Sequence, residues 1–401
     1  MSRLKLSIVL TLALLLGLGS GLAQAQEAVP VLISEGPPSI GTAVIWDDLA
    51  LSDAITFTLA DVPAPAAGTA YEGWLISDDG SIKLSTGILA VATDGTVNHD
   101  FTSPDGENFV HLYDKVVITI EPVPDSDPGP SPDVAYSHAI PAGAITHIRH
   151  LLTNWPPGES KGILTNLKEQ LDTAILHANL AKREADAGNV AGLRQHIEHV
   201  INIIEGEDGP NFGDLDGNGS TQNPGDGVGV LTHAANRKHG PFAAAAAPDD
   251  PVVVTEAEHV DAAGANAESR ATSARDIALS SVLNADLVLA KIFLGPGSRT
   301  VISQLETARN GFLHEDGIPV EDGAEQAYVH GQEMATYTLI AGPPPAAEVE
   351  GSAAIRPGLG LPSVGDPTVR LLAPMALVAS LLFLGFGGAL LVRGRRGRSI
   401  S

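Results

Sequence analysis

The sequence predicts a multidomain α+β protein: an antiparallel β-sandwich, then an α-helical bundle, then one C-terminal transmembrane helix. Three observations predict it. Between residues 41 and 140 apolar and polar side chains alternate, and turn signals recur every ~8–12 residues. Beyond Ile140 the apolar period changes to 3.6 and holds to about Leu339. Near the end, residues 371–392 carry no charge and run directly into Arg393, Arg395, Arg396 and Arg398.

The chain of 401 residues opens with Arg3 and Lys5, an apolar run from Ile8 to Leu18 and the small-x-small triplet Ala23-Gln24-Ala25. That order is a secretory signal peptide over residues 1–25, cleaved before Gln26. Strands are expected at Ala43–Trp46, Ala54–Leu59, Ala70–Ile76, Ser81–Val91, Thr96–Phe101, Phe109–Leu112, Val116–Glu121 and Val134–Ile140, with turns at Asp78-Asp79-Gly80, Asp94-Gly95 and Asp105-Gly106. So many short strands without a helix between them argue for a sandwich over residues 41–140.

Tyr71-Glu72-Gly73-Trp74-Leu75-Ile76, Asp79-Gly80, Gly87, Asp94-Gly95-Thr96-Val97 and Val117-Ile118-Thr119-Ile120-Glu121-Pro122 carry a resemblance. This quarter of the chain resembles the extracytoplasmic domain of anti-sigma-K factors. The resemblance implies a sandwich with Trp74 buried and an acidic, proline-rich exit at Asp125 to Pro132. It does not bring sigma-factor binding with it, because that needs a cytoplasmic domain, commonly a His/Cys zinc bundle, and the chain has no cysteine.

Helices are expected at Gly143–Asn154, Ser160–Ala187, Val190–Glu205, Val228–Lys238, Thr255–Phe293, Ser298–His314 and Glu321–Ile340, a bundle over residues 143–340. Gly188 is placed to end one helix and Asn189 to cap the next. Residues 341–368, rich in Gly, Pro and Ala, read as a flexible stalk. At ~1.5 Å per residue, 371–392 extends ~33 Å against a hydrocarbon core of ~30 Å. The arginines hold the tail 393–401 in the cytoplasm, which makes a single-pass membrane protein with its body outside. Leu361-Pro362-Ser363-Val364-Gly365 resembles a sortase signal, with Val364 where that signal has Thr.

Absence of cysteine excludes disulfides, thiolate catalysis and cysteine-held metals. The formal net charge of −25, with every acidic residue between the signal and the span, repels nucleic acid and attracts cations. No phosphate-binding loop, dinucleotide fingerprint or H-E-x-x-H occurs. Gly158-Glu159-Ser160-Lys161-Gly162 spells G-x-S-x-G, but a nucleophile elbow needs a preceding strand; Ser160 reads as an N-cap instead. The chain is not expected to be an enzyme.

Two constellations carry possible metal chemistry. In the Asp-rich loop 213–227, Asp214, Asp216, Asn218 and Ser220 place oxygens at alternate positions, with Gly219 at the sharp turn, as in a calcium loop. Gly225 stands where such loops carry a bidentate Glu, and Asp226 follows one residue late. The ordinary alternative is a turn that satisfies its own backbone. Separately, His147/His150, His196/His199, Glu256/His259 and His330/Glu333 are i,i+3 pairs, each on one face of an expected helix. Such pairs aimed inward build a bundle metal site, here nitrogen-rich and suited to copper or zinc. Histidines at the edge of an apolar stripe also serve plainly structural roles. The overall expectation is a binding or sensing protein for an unidentified extracellular ligand or protein, stabilised by calcium, with a transition-metal-binding bundle as the alternative.

Overall fold

A computed structural model describes residues 38–313 and 319–344. The expected signal peptide 1–25, the span 371–392, the tail 393–401 and the sortase-like stretch lie outside the described residues. Among the described residues no helix is long and apolar enough to cross a membrane.

Seven strands and a one-turn helix precede the helical part. They are β1 (Ser39–Trp46), β2 (Ala54–Leu59), β3 (Thr69–Ile76), β4 (Lys83–Leu89), β5 (Val97–Thr102), α1 (Phe109–Leu112), β6 (Lys115–Pro122) and β7 (Val134–Ala139). Then come α2 (Ala142–Leu152), α3 (Ile163–Ala187), α4 (Val190–Glu205), α5 (Val230–Ala235), α6 (His239–Ala246), α7 (Pro251–Ile277), α8 (Leu287–Leu294) and α9 (Val301–Asn310). A small hairpin, β8 (Phe312–Leu313) and β9 (Pro319–Glu321), leads to α10 (Ala324–Glu333) and finally β10 (Thr336–Ala341).

The predicted sandwich is corrected by the sheet itself. Eight strands form one antiparallel sheet in the order β4-β3-β6-β7-β10-β1-β2-β5, curled until its edges nearly meet. Across the seam, the His99 ring on β5 lies 2.7 Å from the Thr86 carbonyl oxygen on β4. Inward side chains of alternate positions, among them Ile45, Phe57, Leu75, Ile118 and Tyr337, fill the barrel and are fully buried. Gly41 can only be glycine: a Cβ there would stand 2.1 Å from the Thr58 carbonyl oxygen, and its φ is +139°.

The strand that makes this possible comes from the far end. β10 pairs with β1 on one side (Thr338 opposite Thr42) and with β7 on the other (Ile340 opposite Ser137). The expected helix to Ile340 thus stops at Glu333, and Thr336-Tyr337-Thr338-Leu339-Ile340, β-branched and aromatic, takes the extended form. Conversely, expected strand Phe109–Leu112 is helical because Asn108 Oδ1 accepts the His111 N–H at 2.9 Å, an N-cap. The helical body is therefore an insertion between two neighbouring strands rather than a domain after the sheet.

Within the insertion, α3 and α4 form a hairpin turned at Gly188 (φ +78°), with Asn189 capping α4 as expected. α3 is preceded by Gly162, not Ser160, at its N-cap. The long helix expected over 255–293 is two: α7 ends in a π-helical turn, Ala278–Val282, and α8 begins anew under Asp286, whose carboxylate accepts the Val288 and Leu289 N–H groups. α6 escapes the sequence pattern because His239-Gly240-Pro241 reads as a breaker, yet a proline in a first helical turn loses no hydrogen bond. Buried Val253, Ala257, Val260, Ala263, Ala267, Ala271 and Ala274 give α7 a small-residue face for close neighbours. A Cβ on Gly264 would lie 2.4 Å from Arg237 Cδ, so this glycine makes room for the arginine that pairs with Asp261 and Glu268.

Two polar clamps hold the insertion to the barrel. Arg149 of α2 donates two hydrogen bonds to Asp78 at 2.6 and 2.7 Å and one to the Val110 carbonyl at 2.9 Å, and it holds the Asp78 carboxyl below its ordinary range. On α10, Tyr328 and Gln332 donate to Asp47 in the β1–β2 loop. That loop is itself organised by buried Asp53, which accepts the N–H groups of Asp48, Leu49 and Ala50. Trp74 is buried, as expected, and its Nε1 donates to Thr119 at 2.9 Å.

A fragment of residues 38–140 will lack the strand between β7 and β1 and will show no cooperative thermal transition by circular dichroism. Appending residues 334–344 through a flexible linker restores one. In the full chain, Tyr337→Ala will cost about 3–5 kcal/mol in urea denaturation, the usual penalty for a fully buried aromatic.

Candidate metal centres

The four histidine-containing pairs do not converge on one site; they form three separate clusters. Each begins with two side chains one helical turn apart and is completed from a neighbouring helix.

His147 and His150 on α2 meet His239, the first residue of α6. The Nδ1 atoms of His147 and His150 lie 2.9 and 3.2 Å from His239 Nδ1. His196 and His199 on α4 meet His177 on α3, whose Nδ1 is 3.1 Å from each of their Nδ1 atoms. His177 and His239 were not among the residues the sequence singled out. Each is the third histidine of its cluster and comes alone from a partner helix. One signal was available for His177: it and His199 are equally far from the turn at Gly188, so a hairpin must set them opposite each other. His239 left none, because its helix itself went unrecognised.

Three ring nitrogens aimed at one point are not explained by hydrogen bonding alone. A neutral imidazole has one N–H and one lone pair, so a given Nδ1 can serve one neighbour well and not two. A tetrahedral metal with bonds of ~2.0–2.1 Å to nitrogen would hold its ligand nitrogens ~3.3 Å apart, close to the separations found. The tautomer also suits ligation at His199, where Nε2 lies 2.8 Å from Gln222 Oε1; an N–H placed there leaves Nδ1 as a bare lone pair. Burial and neighbouring histidines push His177 and His239 down to about 4, and burial lowers His147, His150 and His196 as well, so the rings stay neutral.

The third cluster differs. Glu256 Oε2 sits 2.8 Å from His330 Nδ1 and 3.2 Å from His259 Nδ1, and Glu333 Oε2 lies 3.2 Å from His330 Nδ1. Glu256 Oε2 has lone pairs enough to accept from both rings, the longer Glu333 contact only shares the His330 N–H, and His259 is exposed. This set needs no cation to account for it.

The Asp-rich loop is arranged otherwise than its sequence spacing implies. Asp214 accepts the N–H groups of Gly217, Asn218 and Gly219, and Asp216 accepts that of Asn218, while Asn218 accepts that of Ser220. Asp226 is turned away to His233, with Oδ2 2.6 Å from Nε2. The acid that joins Asp214 and Asp216 is Glu198 of α4, 1% exposed, which accepts N–H groups from Leu215, Asp216 and Gln222. The loop therefore satisfies its own backbone through its carboxylates, and Glu198 anchors it to the helix that carries His196 and His199.

Residues 6–134 match the family model described as anti-sigma-K factor rskA, C-terminal. No curated protein and no solved structure matches the chain. The matched segment stops where β7 begins, so it takes in β1 to β6 and none of the histidine clusters. The N-terminal segment of this chain is thus similar to the C-terminal domain of anti-sigma-K factors, and the helical insertion lies beyond that similarity.

Proposed function

We propose that the protein is an exported binder of transition-metal ions, with its two tri-histidine clusters as the binding centres and the barrel as their mount. The observation that carries this reading is the approach of three Nδ1 atoms to about one metal-ligand spacing, twice. Imidazole nitrogen suits copper, zinc and nickel, and three such ligands leave a further coordination position for water or a small molecule. The carboxylate-rich surface supports the reading by gathering cations around the molecule. Export is supported by the N-terminal pattern of Arg3, Lys5, the apolar run and Ala23-Gln24-Ala25. Nothing in the helical insertion supports sigma-factor binding, so the anti-sigma-K-like segment serves here as a scaffold.

Titration of the full chain with zinc and copper(I) together is expected to saturate at about two metal ions per chain, each filled site raising stability by about 2.7 kcal/mol at a hundredfold excess over its Kd. His177→Ala and His239→Ala each remove one ion; a stoichiometry untouched by either change overturns the assignment.

The metal-free protein will lose stability as pH falls from about 6.5 to about 4. In that window His177 and His239 take up protons in the unfolded chain but not in the folded one, so the unfolded state gains. The double variant His177→Gln/His239→Gln should flatten the slope measured by urea midpoints. Protease added to intact cells should digest the body of the protein; protection of the body would contradict export.

A further inference from the structure

The two tri-histidine centres differ in what surrounds them. Around the first stand aromatic rings. Trp155 lies with its ring centroid 4.6 Å from that of His239 and 5.1 Å from that of His150. Phe242 lies 5.4 Å from His147 and 5.7 Å from His239. Among the described residues no carboxylate pairs with these three histidines, and the charged residues beside them in the chain are committed elsewhere: Arg149 to Asp78, Arg237 to Asp261 and Glu268, and Lys238 to Asp261. Around the second centre the surroundings are polar. His199 Nε2 lies against the side-chain oxygen of Gln222, the backbone N–H of Gln222 is bonded at 2.9 Å to the buried Glu198 carboxylate, and Glu184 and Arg183 act on His196 with opposite charges.

We propose that the two centres sort metal ions by charge: His147, His150 and His239 hold monovalent copper, and His177, His196 and His199 hold a divalent ion such as zinc. This rests on the metal-binding reading above and adds the identity of each ion. Taking an ion out of water costs energy that grows with the square of its charge, so a site with neutral ligands and no nearby acid disfavours a divalent ion far more than a monovalent one. The aromatic rings beside this centre replace part of an ion's water with apolar surface, which a monovalent ion gives up at less cost. A filled-shell monovalent copper accepts three nitrogens without a fourth ligand, so the space taken up by the half-buried Trp155 and the exposed Phe242 costs it nothing. At the second centre, the Gln222 side-chain oxygen on the outer nitrogen of His199 fixes and strengthens that ligand, and the buried Glu198 carboxylate on the same helix helps to offset a double charge. No electron transfer is involved, since the ion arrives already monovalent.

The test uses the full chain under anaerobic conditions, with copper(I) supplied as its bicinchoninate complex and zinc with a chromophoric chelator as competitor. Emission reports the first centre, because Trp155 is the indole beside it and the other two tryptophans, Trp46 and Trp74, belong to the barrel. One equivalent of copper(I) should quench emission, and the quench should vanish in Trp155→Phe. Copper(I) affinity should fall about tenfold or more in His239→Ala and stay within about twofold in His177→Ala; zinc should show the reverse. His239→Asn and His177→Asn, closer in shape, serve if the alanine variants fail to fold. Equal losses of both ions in both variants, or copper(I) binding without change in Trp155 emission, overturn the sorting while leaving metal binding in place. Failure of the wild-type chain to bind either ion overturns both.

Discussion

β10 sits between β7 and β1, and without it those two strands face each other across an unfilled gap. Their backbone donors and acceptors on that side have partners only when the chain returns from Ala335. Everything from α2 to α10 must therefore begin and end at fixed points about one strand apart. That condition sets where the helices can lie, and the clamps from Arg149 to Asp78 and from Tyr328 and Gln332 to Asp47 hold them there. The first tri-histidine cluster starts on α2, one turn beyond the sheet, so its geometry inherits the rigidity of the barrel.

The second cluster is more self-contained. α3 and α4 are joined by a tight turn and pack together, and each buries an apolar stripe: Leu171, Ala174, Ala178 and Ala181 on α3, and Leu193, Ile197, Val200 and Ile201 on α4. Three rings held on two helices packed this way have little freedom left to lose when an ion binds. Glu198, one residue from His199, links the same helix to the Asp-rich loop, so the loop and the cluster share a support.

Periodicity found most strand positions and most helices, because alternation and the 3.6 repeat report burial on one face and burial is what both halves of the molecule share. What it could not report was partnership. Thr336 to Ile340 carries the alternation of a strand, but it follows a helical stretch without a Gly or Pro to mark the change, and a local pattern says nothing about a partner at Thr42. The same limit applies to the histidines. The i,i+3 pairs are written on single helices and were legible; His177 and His239 acquire meaning only across a helix contact. In the loop 213–227 the oxygen spacing suggested a cation, whereas the buried acid that organises it, Glu198, lies on the preceding helix and belongs to no linear motif.

β7 and β10 are adjacent antiparallel strands, the arrangement ordinarily joined by a tight hairpin turn. In this chain the place of that turn is taken by a body larger than the barrel itself. Lengthening a connection costs chain entropy only logarithmically, so a sheet can acquire such a guest at a hairpin tip without surrendering its own pairing. The histidine-bearing helices can then diverge, duplicate or be replaced as a unit while the barrel keeps its sequence; the family match ends at the start of β7, one strand before that junction.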